Sequence, residues 1–140
     1  MSVRHQAREA ALQVLYFWEI GGTTPAQALE AFFAEHRPEA PEGMRAFATE
    51  LVVGTAAEVG ALDAVIQRHC EHWRIERLAV VDRLILRMAV WELQHAPDTP
   101  PAVVLNEAIE LARTFSTDDS VRFVNGVLDA ARRALEPREP

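Results

Sequence analysis

The sequence contains no lysine, only one cysteine and no long uninterrupted apolar run. The single Cys70 excludes an internal disulfide and fits a reducing cytosol. Charged residues interrupt every apolar stretch well before the roughly 20 residues that a membrane span requires. The first residues lead directly into an amphipathic pattern and lack the apolar segment of a secretory signal. We therefore expect a cytoplasmic protein without a membrane segment.

The charge balance argues against unspecific binding to nucleic acid. The chain carries 14 basic and 21 acidic residues, a formal net charge of −7. Because binding to phosphates depends on counterion release by basic residues, an acidic chain must cluster the few that it has. Every basic residue is an arginine, and arginine is the better residue for bidentate phosphate contacts.

What the sequence has throughout is the helical period of 3.6 residues, and β-type alternation is nearly absent. Gly21 and Gly22 close the first pattern, and residues 24–27 (TPAQ) form a capping box that starts the second. We expect one compact all-α domain over residues 1–140, with about six to seven helices and a frayed tail at 136–140. The predicted helices cover residues 7–21, 25–35, 44–69 (loosened at Gly54 and Gly60), 78–93, 103–114 and 116–135, with loops at 37–43 and 96–101 and a turn or short helical piece at 73–77.

No pattern of catalytic or cofactor-binding residues is present. The chain has no Gly-rich phosphate loop, no GxSxG and no HExxH. Residues 69–72 (HCEH) resemble a fragment of a metal site, but a structural zinc site needs four ligands and no second Cys/His pair exists. The sequence therefore predicts no enzyme activity, no metal and no cofactor.

Two carboxylates fall on the most apolar predicted helix, which we expect to be central and buried. Asp82 and Glu92 need partners if they are buried, and Arg83 and Arg87 are candidates. A structural ion pair is the favoured interpretation for Glu92. For Asp82, a structural role and a role in binding a partner stay open.

The start of the first helix carries a compact basic patch. Arg4 and Arg8 share one side of the helix, and arginines at a helix start oppose the helix dipole, a local cost that suggests a use. On the far face, Leu12 and Tyr16 are apolar where solvent is expected, which indicates either a protein interface or a covering helix. The patch consists of Arg4, His5, Gln6 and Arg8.

The last helix carries a second surface opposite its apolar stripe. Asp119, Arg122, Phe123 and Gly126 fall on or near that face at 100° per residue. An aromatic ring beside an arginine, with a glycine that leaves room, is typical of base stacking on single-stranded RNA. The free N–H groups of the helix N-terminus suit a phosphate. The alternative is that Phe123 packs into the rim of the bundle.

With these residues placed, the chain resembles the NusB family of bacterial transcription antitermination factors. The resemblance extends over nearly the whole chain in the same order, and its last two motifs together are specific. The motifs are residues 7–16 (AREAALQVLY), 82–87 (DRLILR), 92–93 (EL), 106–112 (NEAIELA) and 123–129 (FVNGVLD).

The resemblance implies a fold of two packed helical bundles. It also implies a heterodimer with the small-subunit ribosomal protein that acts as NusE, and binding to the boxA element of nascent ribosomal RNA. That complex joins other Nus factors on RNA polymerase, keeps transcription past terminators and aids ribosomal RNA maturation. The implied RNA-binding residues are Arg4, His5, Gln6, Arg8, Asp119, Ser120, Arg122 and Phe123, and the implied partner-binding residues are Tyr16, Glu76, Arg77 and Asp82.

Three alternatives accompany this interpretation. The first is a helical adaptor between proteins that never contacts RNA. The second is the NusB-like domain of a ribosomal RNA cytosine methyltransferase, which would need a cofactor-binding domain that these 140 residues do not contain. The third is a homodimer that hides the RNA surface. The basic N-terminus is also shorter than is common in the family, which predicts weak RNA binding without the very basic ribosomal partner.

Overall fold

The structure is a computed structural model that describes residues 2–70 and 72–135. Within these residues it contains seven α-helices, one 3₁₀ turn at Ile75–Arg77 and no β-strand, which confirms the all-α prediction. The tail at 136–140, predicted to be frayed, lies outside the described residues. The helices are α1 (Val3–Gly21), α2 (Pro25–His36), α3 (Glu42–Ala57), α4 (Val59–Arg68), α5 (Val80–His95), α6 (Pro101–Phe115) and α7 (Asp118–Leu135).

The helix boundaries follow local signals in most places. Thr24 caps α2 in both directions, because its Oγ1 accepts from the N–H of Gln27 and its own N–H donates to Gln27 Oε1, each at 3.1 Å. Gly22 ends α1 with a φ of 71°, a conformation that favours glycine. These two features confirm the predicted capping box and the predicted end of the first helix.

The long helix predicted over residues 44–69 was wrong in one respect, because it is two helices. The break lies at Glu58, whereas Gly54 and Gly60 lie inside α3 and α4. Glu58 donates its N–H to the carbonyl of Thr55 at 3.2 Å, so the last turn of α3 tightens to the 3₁₀ pattern and the chain leaves the helix.

The chain divides at this break into two compact units. In the first unit, α1 and α3 pack on each other and α2 packs on both. Ala7 and Ala11 of α1 and Met44 and Leu51 of α3 are all fully buried in this unit. Leu12 is also buried, which agrees with the covered alternative for this residue, whereas Tyr16 is exposed.

The second unit is built around α5, which packs against α4, α6 and α7. Residues 84–92 of α5 are buried without a gap, as its nearly continuous apolar pattern predicts. Each fully buried Leu or Ile contributes roughly 1.5–3 kcal/mol, so the burial of Leu84, Ile85 and Leu86 stabilises this unit. None of the helices in the described part of the chain is long and apolar enough to cross a membrane.

Candidate nucleic-acid interface

The basic patch at the start of α1 is organised around one aromatic ring. Ser2 caps the helix, since its Oγ accepts from the N–H of His5 at 3.0 Å. The guanidinium carbons of Arg4 and Arg8 lie 4.4 and 5.2 Å from the centroid of the Phe47 ring on α3. Cation–π contacts of this length are attractive, and they offset part of the unfavourable interaction between the two arginines and the helix dipole.

The four predicted residues of this patch are not equally available to a ligand. Arg4 is exposed, but Arg8 is only 3% exposed. Gln6 accepts from Nη2 of Arg37 at 3.2 Å, and His5 lies 3.2 Å from Glu9. Arg4 is therefore the patch residue that is most accessible to a phosphate. Arg8 is buried against the Phe47 ring and helps to hold the patch in place. The burial of Arg8 was not predicted.

The start of α7 presents the second surface. Asp119 and Arg122 form an exposed ion pair on the first turn, and Phe123 is half-buried beside them. Phe123 thus has one part against the bundle and another toward solvent, between the two alternatives that the sequence left open. Gly126, one turn further, has open space where a Cβ would lie. This arrangement leaves room for an unpaired base to stack on the exposed part of the Phe123 ring.

The expectation of a phosphate at the α7 N-terminus meets two obstacles. The Oγ1 of Thr117 already accepts from the N–H of Ser120 at 3.1 Å, and the carbonyl of Thr117 accepts from the N–H of Val121 at 3.0 Å. Asp118 and Asp119 also place two carboxylates in the first turn. Carboxylates there satisfy the helix dipole and repel a second anion, so this surface is better suited to a base than to a phosphate.

A buried hydrogen-bond network holds this helix start in place. Asp82 on α5 is 7% exposed. Its Oδ1 accepts from the hydroxyl of Ser116 and its Oδ2 from the hydroxyl of Ser120, each at 2.7 Å. Thr117 in turn donates its hydroxyl to Ser120 Oγ at 3.1 Å. Asp82 therefore joins the middle of the unit to the turn that leads into Asp119, Arg122 and Phe123.

This network changes the roles of two predicted site residues. Ser120 is buried and directs its hydroxyl inward, so it positions the surface and does not face a ligand. Asp82, implied as a partner contact, has both carboxylate oxygens occupied inside the unit. The structural role that the sequence left open for Asp82 is the one its contacts support.

The other implied partner residues are accessible. Tyr16 on α1 is exposed and makes an edge contact with Phe17, with ring centroids 6.2 Å apart. Glu76 and Arg77 are exposed on the 3₁₀ turn. The first unit thus carries Tyr16 with the α1 patch, and the second carries Glu76 and Arg77 with the α7 surface.

Arg87 pairs with a carboxylate that the sequence analysis did not select. Its Nε and Nη2 donate to the two carboxylate oxygens of Asp63 on α4, at 2.7 and 2.9 Å. This bidentate pair fixes α4 against α5. No local pattern indicates this pair, because the two residues are 24 positions apart.

Trp73 and Arg68 are exposed residues that sequence reasoning did not select. They lie beside Phe123 on the second unit and line one groove with it. The signal available in the sequence was a tryptophan at the predicted turn over residues 73–77, flanked by Arg74 and His72. Together with Phe123, Trp73 forms a contiguous aromatic patch, and contiguous exposed apolar patches mark binding surfaces.

Gly126 yields a prediction about stability. Because a Cβ at this position meets nothing and the residue lies in a helix interior, we expect Gly126→Ala to raise the free energy of unfolding by about 0.8 kcal/mol. Urea unfolding followed by circular dichroism measures this change. The matched control is Gly60→Ala on α4, where a Cβ is equally unhindered. A loss of stability in Gly126→Ala alone would contradict the open space described above.

Comparison with known proteins places the chain. A family model described as the NusB family matches residues 5–133. The chain belongs to the NusB family. It is 46% identical over 129 residues to the transcription antitermination protein NusB of Sorangium cellulosum, covering 92% of this chain and 91% of that protein. It is 45% identical to the NusB of Solibacter usitatus over 145 residues, covering 100% of this chain and 96% of that protein.

Solved structures agree with the family assignment. NusB of T. maritima is 30% identical, with a TM-score of 0.87 and coverage of 98% of this chain and 94% of that one. A crystal structure of the antitermination factors NusB and NusE in complex with dsRNA contains a chain that is 29% identical, with a TM-score of 0.87 and coverage of 96% and 98%. The two helical bundles of the family fold therefore correspond to this chain over almost its full length.

Proposed function

We propose that the protein is a transcription antitermination factor that binds the boxA element of nascent ribosomal RNA together with the ribosomal protein NusE. The observation that carries the proposal is the match, over almost the entire chain, to a protein whose crystal structure contains NusE and RNA. The proposal includes action in the bacterial cytoplasm as a binding protein without catalysis. Other Nus factors and RNA polymerase are then further partners.

The geometry of the two surfaces supports a division of tasks on the RNA. Arg4, held near Phe47, supplies positive charge to the backbone. Phe123 offers a ring for base stacking, and the exposed carboxylate of Asp119 accepts hydrogen bonds from the amino groups of bases. In this proposal His5 and Gln6 complete the α1 surface and Arg122 completes the α7 surface. Arg8 supports the first surface from within its unit, and Ser120 supports the second from within its own.

The charge of the chain supports the need for a partner. The protein has a net charge of −7 and few accessible arginines on its RNA surfaces, so it releases few counterions and binds RNA weakly when alone. Each phosphate contact to a single strand contributes a salt slope of about −0.7, and the total slope should therefore be small. A very basic ribosomal protein is attracted by the acidic chain and adds positive surface for the RNA. Tyr16, Glu76 and Arg77 are the exposed residues that we assign to this partner, whereas Asp82 holds the start of α7 through Ser116 and Ser120.

The decisive test of the RNA surface is Phe123→Ala. Base stacking on an aromatic ring contributes about 1–3 kcal/mol, so the dissociation constant for a labelled boxA-type single strand should rise about tenfold in the presence of the partner. Fluorescence anisotropy at two salt concentrations measures it. The control is Val103→Ala, an exposed apolar residue on α6, which should bind like the wild type.

The outcomes separate the two classes of function. Wild-type binding that increases with the partner and falls with Phe123→Ala supports the antitermination factor. If no RNA binds with or without the partner, the protein is a helical adaptor and the proposal fails. Equal RNA affinity with and without the partner would refute the role assigned to the partner's charge.

A further inference from the structure

A groove of about 390 Å³ opens on the second unit next to Phe123. Its volume falls in the range of about 300–1,000 Å³ that small-ligand sites occupy. One side is formed by the end of α4 and the turn after it, and the other by the outer face of α7. The residues that matter here are Arg68, His72 and Trp73 on the first side and Arg122, Phe123 and Gly126 on the second.

The groove is basic on an acidic protein. Arg68 and Arg122 line it beside the uncharged rings of His69 and His72, and the described lining residues include no carboxylate. Because Arg122 pairs with Asp119 at the edge of the groove, Arg68 is the main source of its positive charge. The chain as a whole has more acidic than basic residues, 21 against 14. This local reversal of sign favours an anionic ligand.

Trp73 is the more exposed of the two bulky aromatic residues in the groove, and hydrogen bonds fix its backbone. Trp73 is 60% exposed. Its carbonyl accepts from Nε2 of Gln67 at 2.7 Å, and Gln67 Oε1 accepts from the N–H of Ile75 at 2.9 Å. The N–H of Trp73 donates to the carbonyl of Cys70 at 3.1 Å. The turn is therefore fixed while it presents a large aromatic ring to water beside the half-buried Phe123.

We propose that this groove is a second nucleotide subsite, in which an unpaired base of single-stranded RNA stacks on Trp73 while Arg68 contacts its phosphate. The subsite deepens the proposed function and depends on it, because the groove continues from the Phe123 surface and would hold the neighbouring nucleotide. A combination of an aromatic face and arginines in one groove is how proteins follow a single strand. The absence of carboxylates among the described lining residues makes a basic partner protein the poorer occupant.

The first experiment measures tryptophan emission during titration with a boxA-type single-stranded RNA, with the partner at constant concentration. Stacking of a base on Trp73 quenches its emission, and Trp73→Ala should remove most of this change. The same variant should weaken RNA binding about fivefold or more by anisotropy. Val103→Ala is again the control for loss of an exposed apolar side chain.

Three further variants test the phosphate contact and the space inside the groove. Arg68→Gln should lower the affinity and reduce the magnitude of the salt slope by about 0.7. Arg113→Gln removes the same charge from α6, where Arg113 pairs with Glu110, and should leave the slope unchanged. Gly126→Leu fills the groove from α7, where a Cβ meets nothing, and should weaken RNA binding while Trp73 remains present.

The results distinguish the subsite from the function on which it rests. If Phe123→Ala weakens RNA binding but Trp73→Ala binds and quenches like the wild type, the subsite is overturned and the antitermination proposal stands. If Trp73→Ala weakens binding of the partner and not of the RNA, the groove is a protein surface and the subsite is overturned. If the wild type binds no RNA under any condition, both proposals fail.

Discussion

Asp82→Ala is expected to lower the free energy of unfolding by about 3 kcal/mol, because hydrogen bonds to a charged group contribute about 1.5–3 kcal/mol each and this variant removes two. The hydroxyls of Ser116 and Ser120 lose their acceptor in a buried position. The start of α7 then loses its attachment to α5, and RNA binding should weaken although Asp82 does not face the RNA. Urea unfolding and anisotropy measure the two effects.

A double-mutant cycle tests whether the loss arises from this network. Ser116→Ala with Ser120→Ala removes both donors. Adding Asp82→Ala to that pair should then cost much less than it costs in the wild type, so the combined loss is smaller than the sum of the separate losses. Asp98→Ala, an exposed residue in the loop before α6, is the control and should be nearly neutral. Additive energies would mean that Asp82 stabilises the unit by some other contact.

Asp63→Ala is expected to cost about 3 kcal/mol, because breaking a buried ion pair leaves a charge without its bidentate partner. Arg87 has a nearly buried side chain, while that of Asp63 is a quarter exposed, so solvent screening keeps the loss at the lower end of the known range. Thermal and urea unfolding of the full chain measure it. The exposed pair of Asp129 with Arg133 on α7 supplies the control, and Asp129→Ala should cost about 0.5 kcal/mol or less.

The double variant Asp63→Ala with Arg87→Met distinguishes charge from packing. A buried ion pair that is replaced by apolar residues of similar volume is often tolerated, so the second change should recover much of the stability. If Arg87→Met recovers no stability, the pair stabilises the unit mainly because its side chains fill space between the helices. In that case the loss in Asp63→Ala comes from the space left between α4 and α5.

The sequence predicted those parts of the fold that depend on neighbouring residues. The capping box at Thr24 and the left-handed Gly22 are local, and the structure has both. The burial of α5 follows from its nearly continuous apolar pattern. The break at Glu58 could not be predicted from residue type, since the chain leaves the helix through a tightened last turn and the nearby glycines stay helical.

The contacts that set the candidate site join residues far apart in the chain. Arg87 pairs with Asp63, Asp82 with Ser120, and Arg8 lies over Phe47. Periodicity shows which face of a helix is apolar but not which residue of another helix meets it. For this reason the basic patch and Phe123 could be selected from the sequence, while the burial of Arg8, the inward role of Ser120 and the groove at Trp73 required the fold.

The two arginines over Phe47 also bear on the absence of lysine from the chain. A guanidinium is planar and interacts well with an aromatic face, whereas an ammonium is a compact, strongly hydrated charge. Arg4 and Arg8 are restrained by the ring before any ligand arrives. Ordering a long side chain on binding costs about 0.5–1.5 kcal/mol, and here part of that conformational entropy is already lost in the folding of the first unit.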